Sequence, residues 1–500
     1  MALLHEFLAQ VAQMSRTESR DCGFKLLICA ISCKSLGDAF LDGRAVNWSC
    51  VPTCVVPLVV LEYLVGACGS STQTGQTVAG ARGCSDWPSR PGETFVSLDE
   101  ASQSEVEPFF ITSPGDLAIA WEAYGCDDLT RVGYTRGSAS GGLEKPRYLA
   151  SPNGQMASNV TLARDGASAL FAAWASWTPG PDRVQPQLQA SDLHIQFARW
   201  PVGTSGFLAP VEVSEPIATS FYDKPWMILT ASNQIIIGYS DLSRGAIWVA
   251  SSADGGASFQ RTLVDSVMGN FAGLCPDGRP GGAFLTYFAY RTIRLAHTSD
   301  GGVTWSAPVD AAVSDSSGDV AGQDPMCVAD GDEVWISYGR THDGYDVPVQ
   351  RLLAVLVAHM TLGASLRESD VTVLASPFLT VADTGSPAGD GGTAQGFLLF
   401  PQFARRADGA LGLAAYRAAG EGAGLADLVY LVSADGGRSF GTPIRLAIGL
   451  TPSLQRHVSD WLGDYFGWGP SAAGLGAAFV DNASGFSHIV FDETVPAGNP

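Results

Sequence analysis

One pattern recurs seven times along this chain and restricts its fold more than any other feature. An apolar strand, a turn rich in Gly, Asp or Asn, and a second apolar strand fill Pro108–Tyr124, Asn159–Trp177, Asp223–Asp241, Ala272–Tyr290, Asp324–Arg340, Phe400–Ala418 and Asp464–Asp481. Alternation within the strands and breakers between them predict β-hairpins. The units recur roughly every 60 residues, the spacing of a repeat architecture. A third and a fourth strand follow the hairpins, as in Ala246–Val264 and Arg294–Val309. Four antiparallel strands repeated radially make a β-propeller, which leaves only short, protected edges. The seventh unit ends after three strands, Phe466–Gly469, Gly476–Asp481 and His488–Asp492. An isolated strand, Thr94–Asp99, precedes the first unit and is expected to supply the fourth strand and close the ring. The expectation is an all-β propeller over residues 93–493 with seven blades, or six if one unit is an insertion, and a tail at 494–500. No long amphipathic helix is visible after residue 93.

Composition agrees. Gly numbers 58 of 500 residues and only 16% of the chain is charged, against roughly 7% Gly and 25% charge in an average soluble domain. The net charge of −21 repels phosphate backbones, so no nucleic-acid partner is expected.

The N-terminal region reads as an address rather than as fold. Residues 51–67 form an apolar run, interrupted by Glu62, that ends at Cys68 and is followed by a polar Gly/Ser/Thr segment. This resembles a bacterial lipoprotein signal, which implies Cys68 as the lipidated residue. Residues 1–67 are then a leader, 68–92 a flexible linker, and the protein exported to the cell envelope or outside. The apolar run is short for a membrane span, which needs ~20 residues, so membrane contact is expected only through the lipid. A monomer is expected.

A shorter phrase is written three times: Ser252–Phe259, Thr298–Trp305 and Ser433–Phe440. Each copy is Ser/Thr, any residue, Asp, Gly, Gly, any residue, Ser/Thr and an aromatic. Ser252, Thr298 and Ser433, with Asp254, Asp300 and Asp435, can bind backbone N–H groups of their own turn. Gly256, Gly302 and Gly437 permit positive φ, and Phe259, Trp305 and Phe440 can anchor the turn between sheets. The phrase resembles the Asp-box, or BNR repeat, of the sialidase superfamily, and the resemblance covers about residues 93–493.

Topology assigns the working face. The Asp-box turns join strands three and four, so they lie with the first hairpin turns. The starts of the innermost strands lie on the opposite face, around the central channel, where a ligand site is expected. Those starts present Glu107, Asn159, Asp223, Asp324 and Asp464, beside Lys224, Trp226 and Tyr465. The loops on that face add Glu122, Asp241, His342, Asp343 and five arginines: Arg183, Arg244, Arg291, Arg340 and Arg417. Carboxylates pair with sugar hydroxyls and aromatic faces stack on sugar rings, so carbohydrate or another cell-surface ligand is the expected partner. No cofactor or metal is required, although an acidic ring could hold Ca²⁺.

The resemblance implies more: an arginine triad gripping a carboxylate, a Tyr nucleophile activated by a Glu, and an Asp acid/base. Carried onto this chain, it would make Arg244, Arg340 and Arg417 the clamp and Tyr465 the nucleophile. Asp464 and Asp223 would be the catalytic acids. The family's Phe/Tyr-Arg-Ile-Pro motif is absent; the nearest strings are Ser89–Gly92 and Gly278–Gly282. Two functions therefore stand: a binding propeller, and an exo-glycosidase of sialidase-like type.

Cys275 and Cys327 occupy the same place in consecutive innermost strands. They are either a disulfide or two buried thiols. Cys84 and Cys126 are the second candidate pair.

Overall fold

The computed structural model describes residues 102–125, 129–138, 142–152, 155–178, 193–217, 221–314, 319–320, 325–341, 352, 354–363, 371–380, 397–418, 426–450, 462–472, 474–482 and 487–495. They form seven antiparallel sheets and no α-helix. The innermost strands of blades 1 to 4 are Ser102–Ser113, Met156–Arg164, Tyr222–Leu229 and Gly269–Pro276. Blade 5 has a broken inner strand, Asp319–Val320 and Met326–Asp330, both paired with Glu333–Thr341. Blades 6 and 7 begin with Phe397–Arg405 and Gly467–Ser471. Neighbouring inner strands touch all the way round, and the first lies against the seventh. The molecule is thus a closed seven-bladed propeller. The seventh sheet has three strands among the described residues, and its last, His488–Val495, runs two residues past the expected boundary. Thr94–Asp99, Cys68, Cys84 and Cys126 lie outside the described residues, as do the leader and linker.

The second strand of each blade explains the apolar runs in the sequence. Leu170–Trp177 is buried at every position, because such a strand is covered by a neighbouring blade on each face. The core is accordingly a series of layers between blades. Trp174 and Leu170 pack with Ala120 and Val132 between blades 1 and 2. Tyr287 and Leu285 pack with Ile236 and Val249 between blades 3 and 4. Leu399 and Tyr416 share one cluster with Phe466, Val480, Val106 and Ile119, joining blades 6, 7 and 1. Each large apolar side chain so buried contributes roughly 1.5–3 kcal/mol.

The three repeated phrases make the same turn. Ser252 Oγ donates to Asp254 Oδ1 (2.7 Å) and accepts from the Gly256 N–H (2.9 Å), while Asp254 accepts the Ser258 N–H (3.0 Å) and hydroxyl (2.6 Å). Thr298, Asp300, Gly302 and Thr304 repeat these bonds, as do Ser433, Asp435, Gly437 and Ser439. Such bonds favour the ionised carboxylate; with the Ser439 hydroxyl foremost, they hold Asp435 down at about 2. Phe259, Trp305 and Phe440 each pack against a layer between blades. The Gly301 N–H donates to the Gly281 carbonyl (2.8 Å), which sets the second phrase beside the first hairpin turn of its blade.

Cys275 and Cys327 are joined as a disulfide, with their Cα atoms 5.7 Å apart. The bond ties the inner strands of blades 4 and 5.

Candidate functional site at the channel mouth

In five blades the inner strand carries one extra residue at the same level. The register slips between Val106 and Phe109, Ser158 and Thr161, Asp223 and Trp226, Asn270 and Gly273, and Leu399 and Gln402. The first unpaired residue of each slip has positive φ: Glu107 (52°), Asn159 (52°), Lys224 (50°), Phe271 (57°) and Phe400 (51°). For a residue other than glycine this costs on the order of 1–3 kcal/mol. Such bulges re-aim side chains and gather beside functional sites. Here the same device, used five times, sets one ring of side chains at the mouth of the channel.

Lys224 stands in the middle of the cluster. Its Nζ lies 3.4 Å from Glu107 Oε1 and 2.9 Å from Asp464 Oδ2, bridging blades 3, 1 and 7. It also lies 5.2 Å from the ring centre of Tyr465 and 5.6 Å from that of Phe271, where aromatic quadrupoles favour a cation. The backbone N–H of Asp464 donates to Glu107 Oε1 (3.1 Å), fixing that carboxylate. Asp223 Oδ1 accepts from its neighbour's backbone, the Lys224 N–H (2.8 Å), and from Asn159 Nδ2 (3.2 Å). Glu122, opposite Val106 in the ladder, accepts the Tyr124 hydroxyl (2.5 Å) and the Asn159 N–H (3.4 Å). Glu122 is buried, and burial raises its pKa well above the ordinary carboxylate value, with the charge of Glu107 adding to the rise.

Aromatic rings floor the site. Trp226 meets Tyr465 edge-on at 6.4 Å and Phe109 at 5.2 Å. The Tyr465 hydroxyl donates to the Val160 carbonyl (3.3 Å). The recess between Asn159, Lys224, Trp226, Phe271, Met326 and Tyr465 is only about 20 Å³, room for a water molecule. Anything larger must lie across the mouth, on the half-buried Asn159, Asp223, Lys224, Phe271 and Asp464.

The residues expected at the mouth therefore divide. Glu107, Asn159, Asp223, Lys224, Trp226, Asp464 and Tyr465 come together. Arg244 is taken up locally by Asp241, Glu215 and the Tyr222 hydroxyl. Arg417 lies 3.8 Å from Asp427, and Arg340 pairs in the ladder with Val320 and Ala354. Asp324, His342, Asp343 and Arg183 lie outside the described residues. Phe271, Phe400 and Tyr124 are not among the expected residues. A Pro follows the bulge residue in Glu107–Pro108, Lys224–Pro225 and Phe400–Pro401, a signal that aligns Phe400 with the other two; Phe271, followed by Ala272, and Tyr124 carry no such signal. No cluster of three or more His, Cys, Asp or Glu suited to a metal exists among the described residues, and no helix among them is long and apolar enough to cross a membrane.

Fold and site define a seven-bladed propeller with a charged and aromatic centre. No family model and no curated protein matches the chain. Among solved structures it is similar to a leech intramolecular trans-sialidase complexed with 2,7-anhydro-Neu5Ac, at 11% identity and TM-score 0.44, covering 66% of this chain and 67% of that one. It is similar to the Ruminococcus gnavus intramolecular trans-sialidase at 10% identity, TM-score 0.43 and coverage of 65% and 91%. It is also similar to an ulvan lyase, of a new polysaccharide-lyase family, at 11% identity, TM-score 0.47 and coverage of 80% and 94%.

Proposed function

We propose that this is an exported propeller that binds carbohydrate across the mouth of its central channel. The observation that carries the reading is the state of Lys224. Two carboxylates and two aromatic rings already surround this cation, so the cluster has an excess of negative charge. It therefore suits neutral sugars, whose hydroxyls pair with carboxylates and amides, better than sialic acid. The Cys275–Cys327 disulfide supports an oxidising compartment, in keeping with the signal-like segment ending at Cys68. The protein acts as a monomer in this reading. The test is a glycan array with neutral and sialylated ligands. Binding of neutral glycans, lost in Asp223→Ala, is expected. Retention of no glycan, or release from fluorogenic sialosides abolished by Tyr465→Phe, would reject the reading.

A second reading, hydrolysis of a terminal neutral sugar, has one observation in its favour. Burial, and then the charge of Glu107, hold Glu122 toward its protonated form, and a protonated carboxyl group near a second carboxyl is the usual pairing of glycosidases. Turnover of neutral aryl glycosides that is abolished in Glu122→Gln would replace the first reading with this one.

A further inference from the structure

Below the mouth, the channel opens into a second cavity of about 500 Å³, within the usual range for small-molecule sites. Trp226 and Met326 line both spaces and so form the partition between them. The walls are apolar: Phe109, Leu274, Phe403, Phe466 and Trp468, with the Cys275–Cys327 disulfide. At the far rim, Arg405 is paired with Asp330 and Arg406 with Asp408, so the entrance carries little net charge.

One polar side chain is out of keeping with this lining. Gln402 follows the bulge of blade 6 and pairs with Ala414, which sets it at the level of Trp226 and Phe109, at the deep end of the cavity. It is 2% exposed, and its Nε2 is buried with no hydrogen-bond partner. A buried amide donor without an acceptor is unfavourable, and the neighbouring walls hold rings and aliphatic groups. The amide is closed off from the cavity in this conformation, so its side chain must turn as a ligand enters, a rotamer change of the kind common on binding; an oxygen acceptor on that ligand would then satisfy it.

We propose that this cavity is a binding site for a neutral, mainly apolar small molecule whose carbonyl-type oxygen accepts a hydrogen bond from Gln402 Nε2. The molecule enters from the face that carries the Asp-box turns, opposite the mouth described above. Neutral rim pairs and apolar walls disfavour anions and free sugars. The site is independent of the carbohydrate reading, since it shares with the mouth only the partition residues and Phe109.

The probes are benzophenone and 1,1-diphenylethylene, which match in shape and differ in a carbonyl oxygen against a CH₂. Each is titrated against the full chain by saturation-transfer NMR. Benzophenone is expected to bind roughly tenfold more tightly, the value of one hydrogen bond to a buried donor. In Gln402→Leu the ratio should fall to about one with diphenylethylene binding kept. Ala329→Trp, at the rim, should block both. Absence of binding by both probes, equal binding to the native protein, or a preference that survives Gln402→Leu would each overturn the proposal. If Gln402→Leu does not fold, the ratio on the native protein decides alone.

Discussion

The ammonium group of Lys224 lies 2.9 Å from the carboxylate of Asp464, 240 positions away in the chain. Together with the 3.4 Å contact to Glu107, this brings blades 3, 7 and 1 to one cation. The side chains of Lys224 and Glu107 are 9% and 2% exposed, so solvent screens the contact weakly. A buried pair of this kind is weak evidence for net stability, yet removing one partner is strongly destabilising.

Lys224→Met is therefore expected to lower the free energy of unfolding by about 3–5 kcal/mol, the range for breaking a buried pair by removal of one partner. The loss should be larger at pH 8 than at pH 4, where the stranded carboxylates can take up protons. Denaturant titrations at the two pH values measure it. A variant as stable as the native chain at pH 8 would mean that Glu107 and Asp464 are compensated elsewhere.

Two glycines of the repeated phrase should respond very differently to alanine. A Cβ on Gly256 would lie 2.0 Å from Phe197 Cε1, in the core of the neighbouring blade; one on Gly436 would meet nothing within 4 Å. Both have positive φ, 88° and 74°. Gly436→Ala thus carries backbone strain alone, about 1 kcal/mol. Gly256→Ala adds overpacking of about 1–3 kcal/mol. Thermal unfolding should rank them in that order, and glycan binding should be unchanged in Gly436→Ala because the phrase lies away from the mouth.

The sequence announced the seven hairpins and their inner strands, since strand alternation and turn residues are local signals. It also placed Glu107, Asn159 and Asp464 at the channel, because the start of an inner strand can lie nowhere else. It did not show the bulges. For blade 3 the expected first residue was Asp223, whereas the residue turned by the extra position is Lys224. Phe271 and Phe400, equivalent to it, are not among the residues expected at the mouth. The contact of Lys224 with Asp464 depends on closure of the whole ring, which no local pattern encodes. Conversely, Arg244 looked available in sequence, although Asp241, three residues earlier, takes up its guanidinium.

The disulfide spans 52 positions, and the chain-entropy description assigns a loop of that size about 4 kcal/mol. Cys275→Ala with Cys327→Ala should lower the unfolding free energy by up to that amount. In the native protein, iodoacetamide under denaturing conditions without reductant should leave both residues unlabelled. Labelling of both would show that the thiols are free in the purified protein.

Glu122 should give the protein a recognisable pH dependence. Its folded pKa is raised above the unfolded value, first by burial and then by Glu107. A carboxyl group so raised contributes stability that is complete below the ordinary carboxylate pKa and is lost as pH rises through the folded pKa. Every tenfold gain in proton affinity on folding corresponds to about 1.4 kcal/mol. Glu122→Gln removes the titration but keeps an acceptor for the Tyr124 hydroxyl. Turning its amide nitrogen toward the Asn159 N–H costs the same at every pH, which displaces the curve without changing its slope. Unfolding free energies measured from pH 4 to pH 8 should therefore fall less steeply in Glu122→Gln than in the native protein. Parallel curves would show that Glu122 titrates alike in the folded and unfolded chain, and would remove the acid from the glycosidase reading as well.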